Sequence, residues 1–133
     1  MSKPRALVVD DDRLIRQILS DALGSAGYEV QTAGNGEVAL KAMPKFRPDV
    51  VVLDVIMPGE NGYRICRAIK ELGSKGTAVV PRVVLLTSRR VDDDAEREQV
   101  LLGFSQADIM LYKPCDPPRL LEVLAKLLAP SSA

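Results

Sequence analysis

The chain contains no histidine, and only 4% of its 133 residues are aromatic. Without histidine, it supplies no imidazole general base, no histidine-ligated zinc site and no phosphohistidine. The two cysteines, Cys66 and Cys115, are far apart in sequence and form no CxxC motif, which argues against a metal cage or a redox pair. We expect both to be reduced thiols that pack as small apolar groups.

Net charge and long apolar runs are also absent. Eighteen basic and 18 acidic residues cancel, and the lysines and arginines are scattered rather than clustered. We therefore expect no direct binding to nucleic acid, which requires a basic patch. The apolar stretch after Arg5 is far too short for a signal peptide or a membrane span, so we expect no membrane association and a cytoplasmic location.

The length and the hydrophobic content of 47% are enough for one sizeable core and too small for two ordinary domains. We predict one domain over residues 4–128 and a C-terminal tail or linker stub over residues 129–133.

Short apolar segments alternate five times with segments of helical periodicity. The predicted strands cover residues 7–9, 28–32, 49–53, 83–86 and 109–112, and the predicted helices cover 14–23, 38–43, 63–72, 92–102 and 117–128. Glycines and the prolines Pro44 and Pro48 mark the ends of the first two helices. This alternation predicts a single α/β domain, with a doubly wound five-stranded parallel sheet and helices on both faces.

Side chains that can bind a ligand or take part in a reaction follow four of these strands. Asp10–Asp12 follow the first strand, Asp54 the third, Thr87 the fourth and Lys113 the fifth. The carboxyl ends of parallel strands share one edge of a sheet, where ligands bind. A carboxylate cluster, a hydroxyl and an ammonium at that edge suit a divalent metal and a phosphoryl group, and Mg²⁺ is the natural metal for carboxylates and phosphate oxygens.

Each residue also has an ordinary explanation. Asp10–Asp12 resemble capping residues of the next helix, Thr87 a β-branched strand residue, and Lys113 a surface charge. Asp54 weakens the capping explanation, because no helix follows it directly. Pro114 fixes the turn after Lys113 and permits a cis bond that would direct the ammonium inward. All the ordinary explanations would have to coincide on one edge.

The pattern resembles the receiver domains of bacterial two-component response regulators, of the chemotaxis-regulator type. Those domains carry an acidic pair after the first strand, an aspartate followed by x-x-Met-Pro and a glycine, Thr or Ser after the fourth strand, and Lys-Pro after the fifth. The corresponding residues here are Asp10-Asp11, Asp54 with Met57-Pro58 and Gly62, Thr87-Ser88, and Lys113-Pro114. The resemblance runs from about Pro4 to Leu128 and implies the flavodoxin-like strand order 2-1-3-4-5.

The resemblance implies a phosphorylation-controlled signalling switch. Asp54 is then the phosphoacceptor, supplied by a partner histidine kinase or phosphotransfer protein, and Thr87 and Lys113 contact the phosphoryl group. Asp10, Asp11, Asp54 and the backbone carbonyl of Ile56 are the implied Mg²⁺ ligands. Such a domain has no independent substrate and is not an enzyme in the usual sense. It is a monomer or a phosphorylation-dependent homodimer with an unknown output target.

Four positions modulate this implied site. Met110 occupies the place where relatives usually carry an aromatic switch residue, and Ser88 a place where they often carry Ala or Gly. Ile56 and Arg89, two residues past Asp54 and Thr87, are implied to slow loss of the phosphoryl group. Pro58 and Pro114 are the turn residues.

Three other functions remain to be weighed. A Mg²⁺-dependent phosphohydrolase needs a general acid two residues after the nucleophile, where this chain has Ile56. A flavodoxin-like cofactor binder needs a phosphate-binding loop rich in Ser, Thr or Gly after the first strand, where this chain has three aspartates. A degenerate receiver would bind partners without phosphorylation, and Met110 is the residue that leaves room for it.

Overall fold

The computed structural model describes residues 3–75, 80–87 and 95–129. In chain order the elements are β1 (Arg5–Val9), α1 (Arg13–Ser25), β2 (Glu29–Ala33), α2 (Gly36–Phe46), β3 (Val50–Asp54), β4 (Ile56–Met57), β5 (Glu60–Asn61), α3 (Gly62–Lys75), β6 (Arg82–Thr87), α4 (Ala95–Ser105), β7 (Ile109–Tyr112) and α5 (Pro117–Leu128). In the described part of the chain, no helix is long and apolar enough to cross a membrane.

Five strands form one parallel sheet in the order β2-β1-β3-β6-β7. The short strands β4 and β5 pair antiparallel outside this sheet. Counting only the strands of the main sheet, the order is 2-1-3-4-5, so the predicted fold class and strand order are confirmed. Among the described residues, the β4–β5 hairpin is the one strand pair that the sequence pattern did not indicate.

The central strand β3 shows why the chain adopts this fold. Every residue of β3 is buried, because successive side chains point to opposite faces and both faces are covered. Val51 and Leu53 pack in a core with residues of α2 and α3. Val50 and Val52 pack in a second core with residues of α1 and α5. The predicted placement of helices on both faces is therefore confirmed.

Helix α2 is longer than Pro44 indicated. Pro44 lies inside the helix, which continues to Phe46 and ends at Arg47 in the left-handed conformation. Met43 and Phe46 are both buried in the core. The helix therefore does not end at Pro44; it ends beside Pro48, as predicted, because the residue before a proline is disfavoured in the helical conformation.

A largely buried ion pair lies at the amino-terminal ends of the strands, opposite the predicted site. Lys70 Nζ of α3 donates to Asp108 Oδ2 and to the Pro81 carbonyl, both at 2.7 Å. Asp108 also accepts hydrogen bonds from the Val83 backbone and from Arg82. Burial raises the pKa of Asp108, but these partners outweigh it and hold the pKa below its usual value.

The two cysteines differ. Both are free thiols; Cys66 is buried and Cys115 is partly exposed. Burial raises the pKa of the Cys66 thiol to about 12, so it packs as a neutral apolar group, as predicted.

Candidate functional site

The side chains at three of the four predicted strand ends are in direct contact. Lys113, which follows β7, places its Nζ 3.2 Å from Asp10 Oδ2 and 3.4 Å from Asp54 Oδ1. Asp10 follows β1 and Asp54 is the last residue of β3. The convergence predicted from strand-end positions is therefore observed for the acidic groups and the lysine.

Thr87 lies at the fourth strand end, as the last residue of β6. It is fully buried, and its carbonyl oxygen accepts a hydrogen bond from the Lys113 backbone N–H at 2.8 Å. Thr87 and Lys113 are thus joined through the backbone, because β6 and β7 are neighbouring strands.

The three consecutive aspartates divide into two roles. Oxygens of Asp10, Asp11 and Asp54 all lie within 4.8 Å of one another; Asp10 and Asp54 are buried and Asp11 is exposed. Asp12 instead caps helix α1, because its Oδ1 accepts hydrogen bonds from the backbone N–H groups of Leu14 and Ile15 at 2.8 and 3.3 Å. The capping explanation is right for Asp12 alone.

The charges of the cluster act on one another. Burial and the neighbouring Asp10 carboxylate raise the pKa of Asp54, and this outweighs the opposing effects of Lys113 and of the Ile56 N–H. Burial opposes the charged form of Lys113, but the Asp10 and Asp54 carboxylates outweigh it and raise the lysine pKa. The fold therefore favours the charged form of Lys113 and disfavours the ionised form of Asp54.

The loop after β3 is tied down beside Asp54. The Ile56 N–H donates to Asp54 Oδ1 at 3.2 Å, and the Val55 N–H donates to the Leu86 carbonyl at 2.8 Å. Gly62 donates to the Val55 carbonyl, and a Cβ added at Gly62 would lie 2.5 Å from the Val55 Cα. This close approach requires glycine at position 62.

The donor set fits a hard divalent cation. Three carboxylates share one ammonium, so negative charge is in excess, and two of the carboxylates are buried. Carboxylate oxygens are the ligands that Mg²⁺ prefers in proteins. The Ile56 carbonyl as a further ligand stays a prediction; the Ile56 side chain itself is about half exposed, at 49%.

The structure describes some of the remaining predicted residues and leaves two outside the described part of the chain. Met110 is buried in the core that packs under α2 and α3. The Lys113–Pro114 peptide bond is cis, as the sequence permitted. Pro58 lies in the turn between β4 and β5. Ser88 and Arg89 lie outside the described residues.

Two features of the site were not apparent from the sequence. Arg16 Nη1 donates to the Asp10 carbonyl at 2.7 Å, so α1 holds the backbone of the acidic cluster. An apolar cavity of about 410 Å³ adjoins Lys113 and is lined by Ile15, Ile18, Leu19, Leu86, Lys113, Pro114 and Cys115. Leu14 and Ile18 recur at helical spacing with the buried Leu19 and Leu23 of α1, yet they are 66% and 44% exposed.

The known proteins that this chain resembles in sequence include two bacterial regulators. The chain is 39% identical over 112 residues to the transcriptional regulatory protein AfsQ1 of Streptomyces coelicolor, a match that covers 84% of this chain and 45% of that protein. It is also 39% identical over 125 residues to the response regulator MprA of Mycolicibacterium vanbaalenii, covering 94% of this chain and 49% of that protein. The chain thus spans about half the length of the curated relatives it matches.

Solved structures agree with these relatives. The chemotaxis protein CheY4 of Vibrio cholerae is similar with a TM-score of 0.82 and 33% identity, covering 96% of this chain and 100% of that one. The response regulator TrrA of Thermotoga maritima, solved in complex with Mg²⁺ and BeF, is similar with a TM-score of 0.76 and 34% identity, covering 94% and 99%.

The sequence itself matches a family description over most of its length. Residues 6–125 match the model of the response regulator receiver domain. This range includes all four strand ends that meet at the candidate site. The chain therefore belongs to the response regulator receiver domain family, the phosphorylation-controlled switches of two-component signalling.

Proposed function

We propose that Asp54 accepts a phosphoryl group from a phosphohistidine of a partner histidine kinase or phosphotransfer protein, in a Mg²⁺-dependent reaction. One observation carries this proposal: buried Asp54 lies 3.4 Å from Lys113 Nζ and within 4.8 Å of Asp10 and Asp11. A nucleophilic carboxylate, a cation and a metal-ligand set thus surround one position.

The proposed transfer uses side chains of this chain and the imidazole of the donor protein. An Asp54 oxygen attacks phosphorus, the phosphorus–nitrogen bond of the donor breaks, and the departing imidazole keeps the electron pair. Lys113 pairs with a phosphoryl oxygen, and the Thr87 hydroxyl turns to bond another. Bound Mg²⁺ would supply neutralisation of the charge that builds up on the phosphoryl oxygens. Its proposed ligands are Asp10, Asp11, Asp54 and the Ile56 carbonyl.

The same groups transmit the change of state. Phosphorylation adds about 1.5 to 2 negative charges. Because the Lys113 N–H is bonded to the Thr87 carbonyl, movement of either residue acts on the β6–β7 pair. A shift from 1:99 to 99:1 needs about 5.5 kcal/mol, so a partial shift in partner binding around α4 and β7 is the more realistic outcome. Met110, buried in β7, takes the place of an aromatic switch residue.

The donor protein approaches across the exposed apolar rim of α1. Leu14 and Ile18 are exposed there, and the apolar cavity beside Lys113 opens next to Ile18. A phosphohistidine must reach Asp54, so the surface around this opening is the part of the chain that the donor protein covers. An exposed apolar patch beside a reactive group is typical of a protein contact.

We assign the receiver function to residues 4–128. AfsQ1 is named as a transcriptional regulator, and about half of its length lies outside the match. We assign DNA contact in such relatives to that unmatched part. Residues 4–128 then act through protein partners in the cytoplasm, as a monomer or a phosphorylation-dependent homodimer, without a substrate of their own.

Intact-mass measurement tests the phosphoacceptor. The chain is incubated with Mg²⁺ and acetyl phosphate, and we expect the addition of one phosphoryl mass that is lost at alkaline pH. Asp54→Asn abolishes the addition, and Asp11→Asn raises the Mg²⁺ concentration needed. Asp12→Asn changes neither the extent of phosphorylation nor the Mg²⁺ requirement, because asparagine keeps the helix cap. Equal phosphorylation of wild type and Asp54→Asn would overturn the assignment. No phosphorylation of the folded wild type by acetyl phosphate or by a phosphohistidine donor would favour the degenerate receiver.

A further inference from the structure

A second polar cleft lies between helix α1 and the edge strand β2. It has a volume of about 200 Å³ and is lined by Arg13, Arg16, Gln17, Ser20 and Thr32. All five side chains carry hydrogen-bond donors, and none of them is a carboxylate. Thr32 lies beside Val8 in the sheet, and Val8 packs with the residues of α1, so the cleft is formed where β2 meets α1.

The two arginines of this cleft are not neutralised by the protein. Among the side chains that the structure describes, in residues 3–74, 80–87 and 99–129, no carboxylate lies within salt-bridge distance of Arg13 or Arg16. The basic residues that do pair there are Arg5, Lys41, Arg67, Lys70, Arg82, Lys113, Arg119 and Lys126. Arg16 gives one hydrogen bond to the Asp10 carbonyl, which leaves other guanidinium N–H groups for a further partner.

Two neighbouring groups limit the strength of the site. Gln17 donates to Asp21 Oδ1 at 3.0 Å, so one amide donor is already used and a carboxylate lies at the rim. The acidic cluster at Asp10–Asp11 also disfavours an anion nearby. Binding is therefore expected in the millimolar range and to weaken as salt rises.

We propose that this cleft binds a phosphate-type oxyanion, either free phosphate or the phosphate of a small phosphorylated metabolite. Guanidinium groups match such oxyanions by paired N–H donors, and hydroxyl donors complete the contacts. The volume lies below the roughly 300 Å³ at which sites for larger ligands begin, so it suits one phosphate group. This site is distinct from the phosphoacceptor Asp54 and does not depend on its chemistry.

Amide chemical shifts of the whole chain, titrated with inorganic phosphate at constant ionic strength, test the proposal. EDTA is present throughout, so that no metal can bring phosphate to Asp54. We expect saturable shifts in α1 and β2. Arg13→Gln weakens the affinity about tenfold and Thr32→Val about threefold, in line with charged and neutral hydrogen bonds. Arg119→Gln, which removes an arginine from α5, leaves the affinity unchanged.

The outcomes separate the alternatives. Shifts that do not saturate by about 10 mM phosphate, or equal losses in Arg13→Gln and Arg119→Gln, would overturn the proposal. A second titration uses adenosine monophosphate. Tighter binding than phosphate, lost in Arg13→Gln, identifies a phosphorylated metabolite as the ligand, and equal binding identifies free phosphate. Thr32→Val keeps both arginines, so an unchanged affinity in that variant would refute the specific cleft even if Arg13→Gln failed to fold.

Discussion

Replacing Asp54 with asparagine should make the metal-free chain more stable at pH 7. Without a divalent cation, three carboxylates within 4.8 Å share one ammonium, and Asp54 is only 4% exposed. Burial and Asp10 raise the pKa of Asp54, which means that the fold disfavours its ionised form. Asparagine has nearly the same shape and no charge, so it removes this cost.

The magnitude follows from the distances. At an effective dielectric constant of about 20, two like charges 4.8 Å apart repel by about 3 kcal/mol. Lys113, at 3.4 Å from Asp54, attracts it by about 5 kcal/mol on the same scale. Repulsion from Asp10 and from the exposed, partly screened Asp11 roughly cancels this attraction, so the burial of the carboxylate decides the sign. We expect a gain of about 1 to 2 kcal/mol, or a rise in Tm of about 5 °C.

The pH dependence has a definite sign. In the unfolded chain Asp54 has the usual aspartate pKa of about 3.9, and the folded pKa is higher. Between these two values the folded state binds more protons than the unfolded state, so wild-type stability falls relative to Asp54→Asn as pH rises. The difference is smallest below the unfolded pKa and constant above the folded pKa.

Urea unfolding in EDTA across this pH range measures the difference. Magnesium should then reverse the order in part: at ten times its dissociation constant it stabilises wild type by about 1.4 kcal/mol, and Asp54→Asn by less. Asp12→Asn is the matched control, because Asp12 caps α1 outside the cluster. A wild type more stable than Asp54→Asn at pH 7 in EDTA, or a difference that does not vary with pH, would refute the reasoning.

Three further predictions use other parts of the chain. Lys70→Met should cost about 1 to 3 kcal/mol of unfolding free energy in urea, because the partly buried carboxylate of Asp108 loses its main partner and keeps only Arg82 and the Val83 N–H; a loss under about 0.5 kcal/mol would contradict this. Ile18→Ser should slow phosphoryl transfer from a phosphohistidine protein but not from acetyl phosphate, whereas Val38→Ser, at a similarly exposed position on α2, should change neither rate; equal slowing by both variants would argue against the α1 rim. Ile56→Asn should shorten the half-life of phosphorylated Asp54, and equal half-lives would remove the modulating role of Ile56.

The inner part of the sheet was predictable because β1, β3 and β6 are buried on both faces. Such strands have no polar alternation, and the run Val50–Leu53 is readable as one of them without any tertiary information. The meeting of Asp10, Asp54 and Lys113 followed in turn from their positions at strand ends. The strand order could not be predicted in this way, because the spacing of the strands along the chain does not determine it. That prediction came from the family resemblance.

Contacts between distant residues explain most of what the sequence did not show. Lys70 and Asp108 each look like a surface charge, and only the fold brings them together across 38 positions. Periodicity likewise identified the apolar face of α1 but not which part of it is covered, and Leu14 and Ile18 on that face are exposed. The division of Asp10–Asp12 into two members of the carboxylate cluster and one helix cap depends on where α1 begins, which adjacent identical residues do not indicate.

Lys113 links the resting state of the site to its proposed switching. In the resting chain its ammonium bridges Asp10 and Asp54, and its backbone N–H is bonded to the Thr87 carbonyl. Phosphorylation would move the negative charge of Asp54 outward onto the phosphoryl oxygens, so the ammonium must follow that charge or lose its partner. Because Thr87 is bonded to the same residue, a displacement of Lys113 acts on the end of β6 as well. The charge balance of the acidic cluster and the proposed switching therefore depend on the same contacts of Lys113. A substitution that relieves the repulsion between the carboxylates should also weaken the switch.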